Sequence, residues 1–174
     1  MPATGKSTLA EQLGQRLGWP VFTKDTLKET LFDAAGHAPA TIDEDVSDGI
    51  GTQAVALLLH IARTLLTANV SVVLEANFRS TLAAQQFAPI LDQADVRHVY
   101  CTVETERMLE RYAQRLENDE RHPVHVDTGN PEELAAQLDA KDYGPIPLPI
   151  PTLIVQTDDG FSPSREEVVA FCRA

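Results

Sequence analysis

The sequence predicts an α/β fold, a parallel sheet with helices on both faces, carrying a phosphate-binding loop at its first helix. Three observations carry this. Residues Met1-Pro2-Ala3-Thr4-Gly5-Lys6-Ser7-Thr8 read as the back end of the pattern G-x-x-x-x-G-K-[ST], lacking only the glycine one place before Met1. Short β-branched runs alternate with helix-length amphipathic segments along the 174 residues, which implies parallel strands joined by right-handed crossovers. Polar residues gather just past those runs, where an open α/β sheet binds its ligands.

In chain order, Leu9, Leu13 and Leu17 recur every four residues and Gly18 follows them, a helix with its C-cap. Residues 20–23 form a short strand, and Thr26 is expected to cap a helix ending near Ala35. Residues 36–48 are polar and aperiodic, a loop. Ser47 or Asp48 then opens a long helix burying Ile50, Ala54, Leu57, Leu58, Ile61 and Leu65. Residues 70–74 are nearly all apolar, a strand covered on both faces, and Ser80 or Thr81 caps the helix after it. A strand follows at 96–103 and a helix at 104–117. Residues 118–143 are polar and broken by prolines, with a helical stretch near 132–138. Pro145, Pro147, Pro149 and Pro151 lead stiffly into a last strand at 152–157. A turn at Asp158-Asp159-Gly160 precedes a C-terminal helix from about Ser164.

Size and composition indicate one domain, residues 1–174, with a lid at approximately 111–145. The hydrophobic fraction of 43% and charged fraction of 23% suit a globular core. A net charge of −12 argues against a long nucleic-acid partner. No apolar run approaches the roughly 18 residues of a membrane span, and no signal peptide precedes the loop, so the expected location is cytoplasmic. Cys101 and Cys172 lie in apolar surroundings and should pack as small hydrophobes. Nothing indicates an oligomeric state. The loop motif should follow a buried strand. The simplest expectation is that Met1 is internal to a longer polypeptide, although a trimmed chain would read the same.

The loop's chemistry follows from its residue types. Backbone N–H groups from Ala3 to Thr8 wrap phosphate oxygens, Gly5 permits the close approach, Lys6 reaches the β/γ-phosphates and Ser7 binds Mg²⁺. The competing reading is a flexible terminus before an ordinary helix. Asp25, just past the first visible strand, can take the proton of an attacking hydroxyl or hold Mg²⁺ through water; otherwise it is a helix N-cap. Glu75 could orient a metal or pair as a buried acid with Lys6. Asn77 and Arg79, at the same strand end, are candidates for binding the acceptor, with Arg79 on an anionic group of it. An arginine in a loop is also commonly solvated.

Arg107, Arg111 and Arg115 recur every four residues on the next helix, and Arg121 follows. Interleaved glutamates would suit an ion-paired surface. Beside a phosphate site, guanidinium matches phosphate geometry better than any other side chain. The preferred reading is a lid in which Arg115 and Arg121 enter on closure and Arg111 lies against adenine or the phosphates. His122 and His125, with Asp127, match no common zinc spacing and read as lid or acceptor contacts.

With these residues assembled, the chain resembles the P-loop kinase-like AAA family ATPases grouped with zeta toxins, chloramphenicol phosphotransferase and polynucleotide kinase. The stretches are PATGKSTLAEQL, VFTKDTLKETLF, SVVLEANFR and LERYAQRLENDERHPVHVD. The resemblance implies a P-loop NTPase fold of three α/β/α layers with sheet order 2-3-1-4-5. It also implies a Walker A lysine at Lys6, an Asp base at Asp25 and lid arginines at Arg111, Arg115 and Arg121. The family's first strand and first loop glycine have no counterpart here, and Val124 stands where a glycine is expected between the histidines. The implied function is an ATP- and Mg²⁺-dependent kinase acting on a small-molecule hydroxyl. The alternatives are an NTP-hydrolysing switch with a protein target and an inactive truncated domain. In such a sheet the first strand separates the third from the fourth. This predicts a gap or a repair between the strands at 70–76 and 96–103, and a poorly anchored loop at residues 1–5.

Overall fold

The computed structural model describes residues 3–38, 42–117, 122–126 and 142–174. Helix α1 spans Lys6–Leu17 and buries Leu9 and Leu13 of the predicted stripe, with Leu17 only partly buried; Gly18, at φ 71°, closes it by donating its N–H to Gly14 O. Strand β1 is Val21–Thr23 and helix α2 is Lys24–Ala35. Helix α1 runs so close to β1 that a Cβ on Gly14 would lie 2.1 Å from Val21 Cγ2, a contact only glycine permits.

Two predicted helix starts move. Thr23, not Thr26, caps α2: its side chain accepts from the Thr26 N–H at 3.1 Å. Helix α3 opens four residues earlier than expected, spanning Glu44–Thr67, with Asp43 accepting from Val46 N–H as N-cap. Local side-chain capping outcompeted a boundary read from apolar periodicity alone. The buried stripe of α3 is rotated accordingly: Ile50, Ala54 and Leu58 are buried as expected, but Leu59 and Ala62 take the places given to Leu57, Ile61 and Leu65. By length and composition α3 could cross a membrane, yet none of its large apolar side chains is among the exposed ones. It is a core helix here.

Strand β2 is only Val73–Glu75, shorter than the predicted 70–74, and Val70 is exposed. Helix α4 spans Ser80–Phe87 and runs into a 3₁₀ turn at Ala88–Ile90. Neither Ser80 nor Thr81 caps it. Asp142, some sixty residues on, accepts from the Thr81 N–H at 2.8 Å, the Thr81 hydroxyl at 2.6 Å and the Ser80 hydroxyl. These bonds hold the Asp142 carboxyl at about 2, well below its ordinary value. Strand β3 is His98–Thr102, helix α5 Thr105–Glu117, strand β4 Thr152–Gln156 and helix α6 Arg165–Arg173. Ser164 and Glu167 form a reciprocal capping box at the predicted start of α6. The helical stretch expected near 132–138 lies outside the described residues.

The strands pair in parallel as β1–β2 and β3–β4, with Val21 opposite Val73 and His98 opposite Thr152. Among the described residues the two pairs are separate two-stranded sheets. That is the expected gap: β2 and β3 do not pair directly. Side chains of β2 alternate between the layers. Val73 joins a cluster of Leu9, Leu13, Cys101, Val155 and Val168, from α1, β3, β4 and α6. Leu74 faces a second cluster of Leu59, Ala83, Phe87, Ile90 and Ile146, from α3, α4 and the loop before β4. Helices therefore cover both faces, the α/β/α arrangement predicted, and each fully buried leucine contributes roughly 1.5–3 kcal/mol. Both cysteines are free thiols packed among apolar side chains, and burial pushes Cys101 up to about 11.

A candidate phosphate and acceptor site

The loop departs from its expected looseness. Ala3 (φ 53°) and Gly5 (φ 73°) are both left-handed, and Thr4 between them is fully buried. Its hydroxyl accepts from Lys6 Nζ at 3.4 Å. The buried Thr4 anchors residues 3–5; Met1 and Pro2 lie outside the described residues. Positive φ at Ala3 and Gly5 suits an anion-binding nest of backbone N–H groups, and the N-terminus of α1 opens beside it.

A cleft of about 450 Å³ surrounds this loop, lined by Ala3 to Thr8 together with Asp25, Glu75, Asn77, Arg111 and Arg115. Glu75 takes the second of its two predicted roles: Oε1 lies 3.9 Å from Lys6 Nζ, and Oε2 accepts from the Ser7 hydroxyl at 3.1 Å. Burial lowers the Lys6 pKa, with Arg115 adding to the fall, while Glu75, Cys101 and Asp25 oppose it. Burial raises that of Glu75, with Asp25 adding, against Lys6 and the Ser7 hydrogen bond. Both charges are thus partly desolvated, which strengthens whatever ion they meet.

Asp25 sits in the first turn of α2. Because Thr23 is the N-cap, the capping role is filled, and Asp25 faces the cleft instead. Asn77 lines the same cleft, and its buried Oδ1 has no hydrogen-bond partner among the described residues. Arg79 lines neither this cleft nor the next; it is the N-cap position of α4, close enough to Tyr143 to act on its charge. Arg79 directly precedes Ser80, the first residue of α4.

The arginine stripe divides by position. Arg107 pairs with Glu110 at 2.9 Å in solvent, an ordinary surface pair. Arg111 donates to Thr157 O at 2.5 Å and Asp158 O at 2.9 Å, bracing α5 against the end of β4 while lining the cleft. Arg115 is exposed at the cleft's edge. Arg121 lies outside the described residues, as do Asp127 and most of the expected lid.

A second cleft of about 600 Å³ adjoins the first and shares Ser7, Asp25, Arg111 and Arg115 with it. Its far wall is the segment His122–Val126, pinned to α2. His122 Nδ1 accepts from the Val124 N–H, so Nε2 carries the proton directed at Asp33 Oδ1, 3.1 Å away. His125 Nε2 meets Glu29 Oε1 at 2.8 Å. Val124 is fully buried beside Phe32 and Ile50, and its carbonyl accepts from Ser47 Oγ, which in turn accepts from the buried Lys28. A valine, rather than the expected glycine, is what fills that apolar seat. The histidines are therefore held by carboxylates. Glu29, Asp33 and Asp142 were not singled out in the sequence; the i, i+4 spacing of Asp25 and Glu29 was the available signal for the first.

The residues present fit Mg²⁺ and a nucleoside triphosphate. Ser7 and Asp25 offer hard oxygen donors at the loop, as Mg²⁺ requires when phosphates supply the remaining ligands. Among the described residues no cluster of three or more His, Cys, Asp or Glu side chains forms a self-sufficient metal site.

The AAA domain family model matches residues 1–140. A crystal structure from Chloroflexus aurantiacus J-10-fl, described as a "putative kinase", superposes with a TM-score of 0.84 at 31% identity, covering 99% of this chain and 92% of that one. A gluconokinase from Sinorhizobium meliloti 1021 superposes with a TM-score of 0.56 at 16% identity, covering 98% and 87%, a likeness of fold alone. No curated protein matches the sequence. The loop, the parallel strand pairs and the extent of these matches place the chain in the AAA domain family, among its P-loop kinase-like members.

Proposed function

We propose that the chain is an ATP- and Mg²⁺-dependent kinase that phosphorylates a hydroxyl of a small molecule. The observation that carries this is Asp25: it lines both the phosphate cleft and the cleft beside it, the position a base needs between a bound triphosphate and an incoming hydroxyl. Bound Mg²⁺ would neutralise charge developing on the phosphates. The loop N–H groups and Lys6 orient the γ-phosphate. An acceptor oxygen uses a lone pair to form a bond to γ-phosphorus while the bond from γ-phosphorus to the bridging oxygen breaks. That electron pair leaves on ADP, and the hydroxyl proton passes to Asp25. Arg115, and Arg121 where the lid brings it in, stabilise the equatorial oxygens. The likeness to the Chloroflexus aurantiacus protein described as a kinase supports phosphoryl transfer as the reaction class.

The test is ADP formation measured with and without acceptors, alongside calorimetry of ATP binding with Mg²⁺. Turnover that requires an acceptor supports the kinase. Phosphate release indifferent to every acceptor would assign the chain to the hydrolysing switches.

A further inference from the structure

The cleft shared by α1, α2, α5 and the His122–Val126 segment has an unusual lining. Glu11, Thr23, Thr26, Glu29, Gln114 and His125 face it, in addition to the four residues it shares with the phosphate cleft. Among the described residues its wall contains no aliphatic or phenyl side chain. Small-molecule pockets are ordinarily lined mostly by apolar and aromatic groups, with few polar ones. A wall made of donors and acceptors throughout leaves an apolar ligand facing polar groups that it cannot satisfy, which disfavours binding.

The spacing is as informative as the chemistry. Asp25 and Glu29 are one turn apart on the same face of α2, where side chains four residues apart have Cβ atoms roughly 5–6 Å from each other. Glu29 is fixed by His125, whose ring is nearly buried while Glu29 keeps 37% of its side chain exposed. An acceptor whose reacting hydroxyl meets Asp25 therefore meets a second, oriented carboxylate several carbons further along. Its charge preference follows from the same inventory. Among the described residues three carboxylates, Glu11, Asp25 and Glu29, share the wall with two guanidiniums and the rings of His122 and His125, and Arg111 already donates to Thr157 O and Asp158 O. An acid group on the acceptor would compete with the triphosphate for Arg115 and would be repelled by the α2 wall.

The geometry points to an uncharged polyhydroxyl compound, a sugar or alditol of about six carbons, as the acceptor. Glu29, oriented by His125, is the residue that selects it by accepting from a hydroxyl distant from the reacting one. This rests on the kinase reading of the neighbouring cleft, and the two can be separated by experiment.

The test uses a panel of an uncharged hexitol, an aldohexose, the matching sugar acid and a monohydroxy alcohol of equal carbon number. Binding to the full chain is followed by saturation-transfer NMR without nucleotide, and ADP formation is measured with ATP and Mg²⁺. The hexitol or the aldohexose should bind and be phosphorylated. Glu29→Gln should raise the acceptor KM by about tenfold or more, the range for a lost hydrogen bond to a charged group, with nucleotide Kd changed by less than about twofold and kcat largely retained. Thr26→Ala, which leaves the Glu29–His125 contact intact, should raise KM by a smaller factor. Preference for the sugar acid or the monohydroxy alcohol overturns the inference and leaves the kinase reading standing. So does an unchanged KM in Glu29→Gln. Absence of polyol binding despite normal ATP affinity has the same effect. Hexitol binding that weakens in Glu29→Gln, in a chain that neither binds ATP nor forms ADP, would uphold the polyol site and remove the kinase reading.

Discussion

The two clefts are built in opposite ways. The phosphate cleft is made largely by six consecutive residues, Ala3 to Thr8, whose backbone dihedrals and helix start create the anion site. The cleft beside it is assembled from side chains of three helices and a separate loop, and His125 reaches Glu29 across 96 positions of sequence. The first is a property of local chain geometry, so it is written in one place and reads as a motif. The second exists only after α1, α2, α5 and the His122–Val126 segment have packed. The difference teaches that affinity for the shared chemical currency can be encoded locally, whereas choice of acceptor is spread over the fold.

The comparison can be broken at its common member first. Asp25→Asn should lower kcat by about 10²–10⁴-fold, the range for a lost general base, while leaving nucleotide Kd nearly unchanged. Normal turnover with reduced thermal stability would return Asp25 to a structural role. Lys6→Ala touches only the first cleft. It should weaken Mg·ATP binding about 100-fold, the upper range for a desolvated charged contact. Calorimetry should show this while circular dichroism reports an intact fold and acceptor binding persists. Unaltered ATP affinity would remove the phosphate site from this account. Arg115→Ala should reduce kcat by about 10–100-fold with a smaller change in ATP Kd, because its exposed guanidinium is placed for the transferring group. Equal kcat would leave α5 an ordinary charged surface.

The smallest expected effect lies outside both clefts. Asp142 is held near 2 by the Ser80 and Thr81 bonds, against an ordinary value of 3.8. A folded-state pKa below the unfolded one contributes stability that is present above about pH 4 and is lost as pH falls toward about 2. Asp142→Asn should therefore lower Tm slightly at neutral pH, and the difference from the parent chain should vanish near pH 2. A difference that persists there would mean that the bonds do not depend on the charge.

What the sequence displayed well was whatever repeats at short range. The Leu9–Leu13 stripe, the helix start at Ser164 and the Gly5-Lys6-Ser7 signature each occupy a few neighbouring positions, and the structure has a helix beginning where each was read. The strand ends at Thr23 and Glu75 also bring Asp25 and Glu75 to the loop, as an open α/β sheet requires. Interactions that close large loops were not legible. The cap of α4 by Asp142, the brace from Arg111 to the end of β4 and the carboxylates holding His122 and His125 depend on which segments pack together. No periodicity reports that. Arg79, read from its strand-end position as an acceptor contact, is not among the residues lining either cleft.

The separation of β1–β2 from β3–β4 has a mechanical consequence. With no backbone ladder joining the pairs among the described residues, shear between them is resisted on the α1 face by packing of that helix. Its leucines lie in the same cluster as Val73 on one side and Cys101 and Val155 on the other. Among the described residues, side-chain packing of α1 therefore spans the two strand pairs on that face, and the same helix begins at Gly5 and Lys6, so the cleft residues Lys6 and Ser7 belong to the element that touches both pairs.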